Sequence, residues 1–289
     1  NLGVMETSKA APDGHTLMVA PISVQTANPF LFKPALNPER DLRPVASLGY
    51  AQLYLVAKKG LPVQSANDLV AMAAGQQLWR VRLGASAQTA PLVAGRRVFV
   101  LAADRSVSAF DGQTGKRLWT QTRTGEPLVL NQPGALLAVG DTLVAGLGGR
   151  LVGLNPLNGS VRWEAPIANA RGTNEVERLV DIVGPVSRVG NSICARAYAS
   201  AVGCVDAANG RVTWSKPALG FQGLGGDDRL VFGSESDGRV LAWQRSSGEA
   251  AWSMDRLKYR ELTAPVALGR VVAVGDGTGL VHLISREDG

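Results

Sequence analysis

Short apolar runs separated by polar turns dominate the chain after residue 77. In residues 97–110, two such runs flank the polar triplet Asp104-Arg105-Ser106, which is the pattern of a β-hairpin. Comparable turns follow at Gly148-Gly149, Ala199-Ser200, Asp237-Gly238 and Gly277-Thr278-Gly279. A second turn and a third strand come next in each copy. The pattern predicts a strand-turn-strand-turn-strand unit that occurs about five times.

Closing tryptophans define the period of this repeat. They stand at Trp79, Trp119, Trp163, Trp214 and Trp252, so that successive copies are 38 to 51 residues apart. A period of this length accommodates one four-stranded sheet, and tryptophans packed between successive sheets provide a continuous core. We therefore predict a mainly β fold, an incomplete β-propeller of about five four-stranded blades over residues 77–289. The alternative is a β-sandwich, which does not repeat a glycine-to-tryptophan spacing so regularly.

Residues 1–76 do not follow the repeat. They contain no tryptophan and are rich in proline. Residues 16–20 and 53–57 are predicted to be short buried strands. Ser65-Ala-Asn-Asp68 predicts the start of a helix that continues over residues 69–73. We expect a small α/β segment here, with a boundary to the propeller between residues 76 and 77.

Charge and composition narrow the possible functions. The 289 residues carry a formal net charge of +6, and no apolar run is long enough to span a membrane. The arginines of residues 77–289 are scattered rather than aligned in a basic stripe with aromatic side chains, so no nucleic-acid partner is expected. Because the chain begins at Asn1 without a signal sequence, we expect either a removed leader or a fragment.

Nothing in the sequence predicts catalysis, a cofactor or a metal site. His15 and His282 are the only histidines and lie in different segments, and no phosphate-binding loop is present. Asp111, Asp206 and Asp288 recur from copy to copy. Such recurrence predicts that they shape turns through hydrogen bonds to the backbone, because a catalytic acid would be unique.

Two cysteines, Cys194 and Cys204, flank the predicted turn at Ala199-Ser200. With a two-residue turn, residue 194 faces residue 205, and Cys204 lies on the opposite face of the sheet. A three-residue turn or a β-bulge brings the two sulfur atoms together. Both arrangements remain open, and an oxidising compartment favours the disulfide.

The repeats, together with the segment between residues 170 and 185 (Ala-Arg-Gly-Thr-Asn-Glu-Val-Glu-Arg-Leu-Val-Asp-Ile-Val-Gly-Pro), resemble the BamB family. This family consists of β-propeller lipoproteins with repeats of the pyrroloquinoline-quinone-dehydrogenase type. The resemblance implies a non-enzymatic scaffold of the outer-membrane β-barrel assembly machinery. It also implies a periplasmic location at the outer membrane, with membrane contact only through a lipid anchor that is missing from this chain.

The same resemblance implies the partner-binding residues. The family binds the BamA subunit through loops on one rim, and its Leu-x-Leu-Arg motif matches Leu128 and Leu130, with Asn131 in place of the arginine. Of two family acidic residues, Asp181 is present and Val183 replaces the other. Alternative interpretations are strand burial for the leucines and a loop hydrogen bond or salt bridge for Asp181. Nascent outer-membrane protein strands are a further implied partner.

Residues 1–76 resemble another family, the solute-binding proteins of tripartite tricarboxylate transporters, called Bug proteins. The matching segments are residues 9–17, 28–32, 37–45 and 65–69. This resemblance implies a periplasmic carboxylate receptor as the alternative function, although the second lobe needed to enclose a ligand is absent. We therefore expect a chimeric chain that joins two partial proteins near residues 73–77. A quinone-dependent dehydrogenase is a weaker alternative, since no calcium site or aromatic platform is evident.

Overall fold

The computed structural model describes residue 9 and residues 68–73, 76–123, 128–170, 173–175 and 178–289. The chain divides into two compact units, residues 1–55 and 56–289. The predicted strands at residues 16–20 and 53–57 lie outside the described residues, as does most of the expected α/β segment. Within the described part of residues 56–289, all regular elements are β-strands.

The helix predicted after Ser65 is wrong. Asp68–Ala73 (β1) is a strand that pairs antiparallel with Gln76–Arg82 (β2), and this hairpin crosses the expected boundary between residues 76 and 77. Residues 69–73 are apolar enough for either element. The hydrogen bonds offered by β2 are a tertiary contribution that local helix signals do not include.

Four consecutive antiparallel sheets of four strands follow, and we call them blades 1 to 4. Blade 1 contains β3 (Leu92–Ala94), β4 (Arg97–Leu101), β5 (Val107–Asp111) and β6 (Arg117–Gln121). Blade 2 contains β7 (Leu136–Val139), β8 (Thr142–Leu147), β9 (Arg150–Leu154) and β10 (Val161–Pro166). Blade 3 contains β11 (Ile182–Val189), β12 (Ser192–Ala197), β13 (Ala201–Asp206) and β14 (Arg211–Pro217). Blade 4 contains β15 (Leu224–Gly226), β16 (Leu230–Ser234), β17 (Val240–Gln244) and β18 (Ala250–Met254).

Blade 5 has three described strands, β19 (Val266–Leu268), β20 (Val271–Gly275) and β21 (Val281–Ser285). The predicted hairpin turns are all confirmed, since each lies between the second and third strands of its blade. First strands of successive blades contact each other, as β11 does with β15 and β15 with β19. This places the first strands at the inner end of the blades, which is the arrangement of a propeller.

Tryptophans connect each sheet to the next repeat, as predicted. Every closing indole donates a hydrogen bond from Nε1 to a backbone oxygen in the following copy. The pairs are Trp79 with Gly112, Trp119 with Pro156, Trp163 with Ala207, Trp214 with Arg245 and Trp252 with Arg286, at 2.7 to 3.1 Å. The turn glycine of that next copy packs on the indole face, so the repeated Gly and Trp serve contacts between copies.

Aspartates shape the turns that precede the fourth strands. Asp111 accepts hydrogen bonds from the backbone N–H groups of Gln113 (3.1 Å) and Thr114 (2.8 Å), and Asp206 accepts one from Ala208 (3.0 Å). The prediction is confirmed for these two residues. Asp288 is not equivalent to them, because the closing turn bond that runs from Gly115 N to Asp111 O runs from Gly289 N to Ser285 O in blade 5.

The strand order gives each blade two rims. One rim carries the segments that link consecutive blades, together with the turns between second and third strands. We call it the interblade rim. The opposite rim carries the two other turns of each blade, including the exposed Leu157. All three residues predicted to bind a partner lie on the interblade rim.

Candidate functional site

The structure brings the three predicted site residues together. Asp181, at the start of blade 3, accepts a hydrogen bond on Oδ2 from the backbone N–H of Leu130 (3.1 Å). Arg105 of blade 1 donates from Nη2 to Asp181 Oδ1 (2.9 Å) and to the carbonyl oxygen of Leu128 (3.1 Å). One buried ion pair therefore holds both ends of the Leu128–Leu130 segment, which we call loop A.

Loop A presents its leucines outside any strand. Leu128 is 37% exposed and Leu130 is half-buried. The alternative interpretation of these leucines as buried strand residues is therefore wrong. Asp181 is only 4% exposed and forms both the loop hydrogen bond and the salt bridge, so its carboxylate orients loop A from beneath.

Arg105 was missed by the sequence analysis. It occupies the turn between β4 and β5 with a φ of 60°, a left-handed conformation that costs an L-residue about 1–2 kcal/mol. Its backbone N–H bonds to Ala102 O at 3.0 Å, and Asp104 accepts hydrogen bonds from Ser106 on the far side of the turn. Only the fold brings Arg105 to Asp181, 76 residues away. No local pattern in the sequence predicts that Arg105 and Asp181 form an ion pair.

The two residues that depart from the family pattern, Asn131 and Val183, are not members of this ion pair. Asn131 is exposed, immediately after loop A. Val183 is buried in β11, where it pairs in register with Arg196 of β12. A carboxylate at position 183 would therefore lie within the sheet. Arg105 supplies the guanidinium that binds Asp181.

A second buried ion pair repeats this construction between blades 3 and 4. Glu235 accepts a hydrogen bond from Arg196 Nη2 on Oε1 (2.8 Å) and from the backbone N–H of Leu219 on Oε2 (2.5 Å). Arg196 is fully buried, and Gly220 and Gly233 lie so close to its guanidinium that a Cβ on either would collide with it. Burial lowers the pKa of Arg196, and the charge of Glu235 opposes that shift.

A third carboxylate, Asp276, lies at the β20–β21 turn. It accepts hydrogen bonds from Thr278 N (2.9 Å) and Thr278 Oγ1 (2.6 Å), contacts His282 Nε2 at 2.8 Å, and pairs with Arg260 from the blade 4–5 segment. These partners, the Thr278 hydroxyl above all, hold the pKa of Asp276 far below its ordinary value of 3.8.

This lowered pKa predicts an acid-sensitive contribution to stability. A carboxylate with a depressed pKa in the folded state stabilises the fold fully above its unfolded pKa, and the contribution is lost as pH falls through the folded pKa. When the pH is lowered from 7 to 2.5, we expect the free energy of unfolding to decrease less for Asp276→Asn than for the unmodified chain. Urea unfolding at each pH measures this decrease. The exposed Asp228→Asn serves as the control. Equal losses in all three proteins would contradict this assignment.

Cys194 and Cys204 form a disulfide. They pair directly in register on β12 and β13, because three residues, Tyr198 to Ser200, separate the paired positions 197 and 201. This is the three-residue turn that the sequence left open as one alternative. Arg245 Nη1 lies 3.2 Å from Cys194 Sγ and links the disulfide to blade 4.

Neither a metal cluster nor a membrane-spanning helix occurs in the described part of the chain. No group of three or more His, Cys, Asp or Glu side chains there is arranged to hold a metal ion. A helix long and apolar enough to cross a bilayer is likewise not found among the described residues.

The four-stranded blades and the tryptophans bonded between successive copies define a β-propeller, with loops on one rim held by buried ion pairs. Residues 48–254 match the family model described as outer membrane protein assembly factor BamB. The chain belongs to this family.

Relatives from two bacteria illustrate the match. The chain is 38% identical to the outer membrane protein assembly factor BamB of Burkholderia pseudomallei over 217 residues, which are 74% of this chain and 57% of the relative. It is 36% identical to that of Bordetella pertussis, over 74% of this chain and 56% of the relative. The chain thus spans somewhat more than half the length of these relatives.

Solved structures agree with this fold. The crystal structure of BamB from Moraxella catarrhalis is similar with a TM-score of 0.72 and 29% identity, over 77% of this chain and 68% of that one. A quinohemoprotein alcohol dehydrogenase from Comamonas testosteroni has a TM-score of 0.52 at 14% identity, over 71% of this chain and 42% of that one. At that identity the second likeness shows the fold alone.

The family match begins at residue 48 and so includes residues 65–69, one of the segments that resemble Bug proteins. The other three segments of that resemblance lie outside the described residues, apart from residue 9. The carboxylate-receptor alternative stays a prediction.

Proposed function

We propose that this chain is part of a non-enzymatic scaffold of the outer-membrane β-barrel assembly machinery, located in the periplasm at the outer membrane. Loop A is proposed to dock a BamA-type subunit. The names of the relatives as outer membrane protein assembly factors support the proposal. The observation that carries it is the buried Arg105–Asp181 pair, which holds an exposed apolar loop in one conformation.

The physical advantage of this arrangement is preorganisation. A loop that is ordered before binding loses less conformational entropy when the complex forms. Both charges are buried and satisfy each other and the loop backbone, so they add no unpaired charge to the contact surface. The leucines then contribute by removing apolar surface from water. Nascent barrel strands are a second proposed partner, since exposed strand edges accept an incoming strand irrespective of its sequence.

Replacing both leucines, Leu128→Ala with Leu130→Ala, is expected to weaken binding to a purified BamA subunit about tenfold, because truncating central apolar contacts typically costs more than about 1 kcal/mol. Biolayer interferometry measures the dissociation constant. Leu157→Ala is the matched control, since Leu157 is 63% exposed on the opposite rim. Unchanged affinity of the double variant at an unchanged melting temperature would refute docking through loop A.

Asp181→Asn tests the orienting role of the carboxylate separately. The substitution keeps both leucines but removes the charge that binds Arg105. We expect weaker binding together with faster hydrogen exchange at the amide of Leu130, which can be followed by mass spectrometry. Weaker binding without faster exchange would instead indicate that Asp181 contacts the partner directly.

A further inference from the structure

A second exposed apolar loop lies on the interblade rim, between blades 3 and 4. Leu219 is 60% exposed and Phe221 is 41% exposed, and we call residues 219–221 loop B. The ring of Phe221 stacks on that of Tyr198, with 5.1 Å between the centroids. Apolar side chains this exposed on a structured loop mark interaction sites when they form a contiguous surface.

Loop B is built in the same way as loop A. In each, the backbone N–H of a leucine donates to a buried carboxylate, Leu130 to Asp181 and Leu219 to Glu235. In each, that carboxylate pairs with a buried arginine of a preceding turn or strand, Arg105 or Arg196. Burying an ion pair carries a large desolvation penalty, which an ordinary surface loop does not require. The use of such a pair beneath loops that expose Leu128 and Leu219 indicates that both loops are held for the same purpose.

The two loops are also continuous along the rim. The turn that begins at Tyr198 lies between them: Tyr198 N donates to the carbonyl oxygen of Asp181 (2.9 Å), and Ala199 N donates to that of Gly220 (3.0 Å). Tyr198 therefore contacts Asp181, which holds loop A, through its backbone, and Phe221 of loop B through its half-buried ring.

Interface size gives an independent reason for a second contact. A stable protein interface buries about 800 Å² on each partner, contributed by roughly 20–30 residues. Loop A, three residues long, is far too small to supply this area. Any partner that docks on loop A must therefore cover neighbouring surface, and loop B offers exposed apolar side chains there.

We propose that loop B is a second contact loop for the same protein partner that docks on loop A, with Leu219 and Phe221 inserted into its apolar surface. This inference rests on the proposed function. The partner is a folded protein that presents an uncharged, apolar surface to the rim, because both loops place leucines outward while their charges are buried beneath.

The test compares substitutions that add a charge on the two rims. Leu219→Lys places a positive charge at the first residue of loop B, and Leu157→Lys places the same charge on the opposite rim at a similarly exposed leucine. With purified BamA subunit in biolayer interferometry, we expect at least a tenfold loss of affinity for Leu219→Lys and none for Leu157→Lys. Phe221→Ala is expected to weaken binding by about fivefold.

The outcomes separate this inference from the proposal on loop A. Loss of affinity in both the loop A and loop B variants supports the inference. Loss in the loop A variant alone overturns the inference and leaves the proposed function standing. If neither set of variants weakens binding, both are overturned. Each variant is compared at an unchanged melting temperature, and Leu219→Ala, which adds no charge, replaces Leu219→Lys if the lysine lowers that temperature.

Discussion

Glu235→Gln is expected to lower the free energy of unfolding by about 3 kcal/mol, because it leaves the fully buried Arg196 without its counter-charge. Glutamine keeps the volume of glutamate. However, its amide has one acceptor oxygen instead of two, so either Arg196 Nη2 or Leu219 N faces the NH2 group and loses its acceptor. Urea unfolding followed by tryptophan fluorescence measures the change.

Glu164→Gln is the matched control for this experiment. Glu164 binds Arg123 at 2.7 Å, but about a third of each side chain is exposed, and such a pair contributes less than about 1 kcal/mol. Arg196→Met combined with Glu235→Leu removes both buried charges, so it should recover most of the stability that Glu235→Gln loses. Similar losses in the free energy of unfolding for Glu235→Gln and Glu164→Gln would show that burial does not determine how much these ion pairs contribute to stability.

Gly248→Ala is expected to destabilise the chain by about 3 kcal/mol. Gly248 has a φ of 72°, which strains an L-residue, and a Cβ there would lie 2.5 Å from the ring of Trp214. Since Trp214 is buried and donates to Arg245 O at 2.7 Å, the indole cannot move away without losing this bond. The overpacking therefore adds to the backbone strain. Thermal and urea unfolding measure the loss.

Gly95→Ala separates the two contributions. Gly95 also has a positive φ, 56°, but nothing lies within 4 Å of a Cβ built on it. This substitution should cost only the backbone term, about 1 kcal/mol. If Gly95→Ala and Gly248→Ala destabilise the chain equally, the packing of the turn glycine on the tryptophan contributes nothing to the contact between blades.

The repeat was predictable because its signals are local. Hairpin turns such as Asp104-Arg105-Ser106 and the spacing from Gly115 to Trp119 can be recognised within a dozen residues. The sequence did not show which tryptophan each turn glycine contacts. Gly115 packs on Trp79 of the preceding copy rather than on Trp119 of its own copy. The glycine and the tryptophan of one motif therefore make contacts with two different neighbouring copies.

Predictions failed where two elements compete for the same residues. Residues 69–73 satisfy helix rules, yet β1 forms because β2 lies beside it with free hydrogen-bonding groups. For the cysteines the sequence left two arrangements open, since a change of one residue in turn length moves a side chain to the other face of a strand. The three-residue turn after Ala197 decided that Cys194 and Cys204 meet.

The sequence by itself determined the β-propeller class and its repeat, because the period is a property of the linear chain, and its resemblance to the family implied Leu128, Leu130 and Asp181 as partner-binding residues. Only the tertiary structure decided what Asp181 does. Arg105 and Asp181 are 76 residues apart and meet through the packing of successive blades. Arg196, Glu235 and Leu219 meet in the same way. Buried ion pairs between blades depend on distance in space, for which sequence separation carries no information.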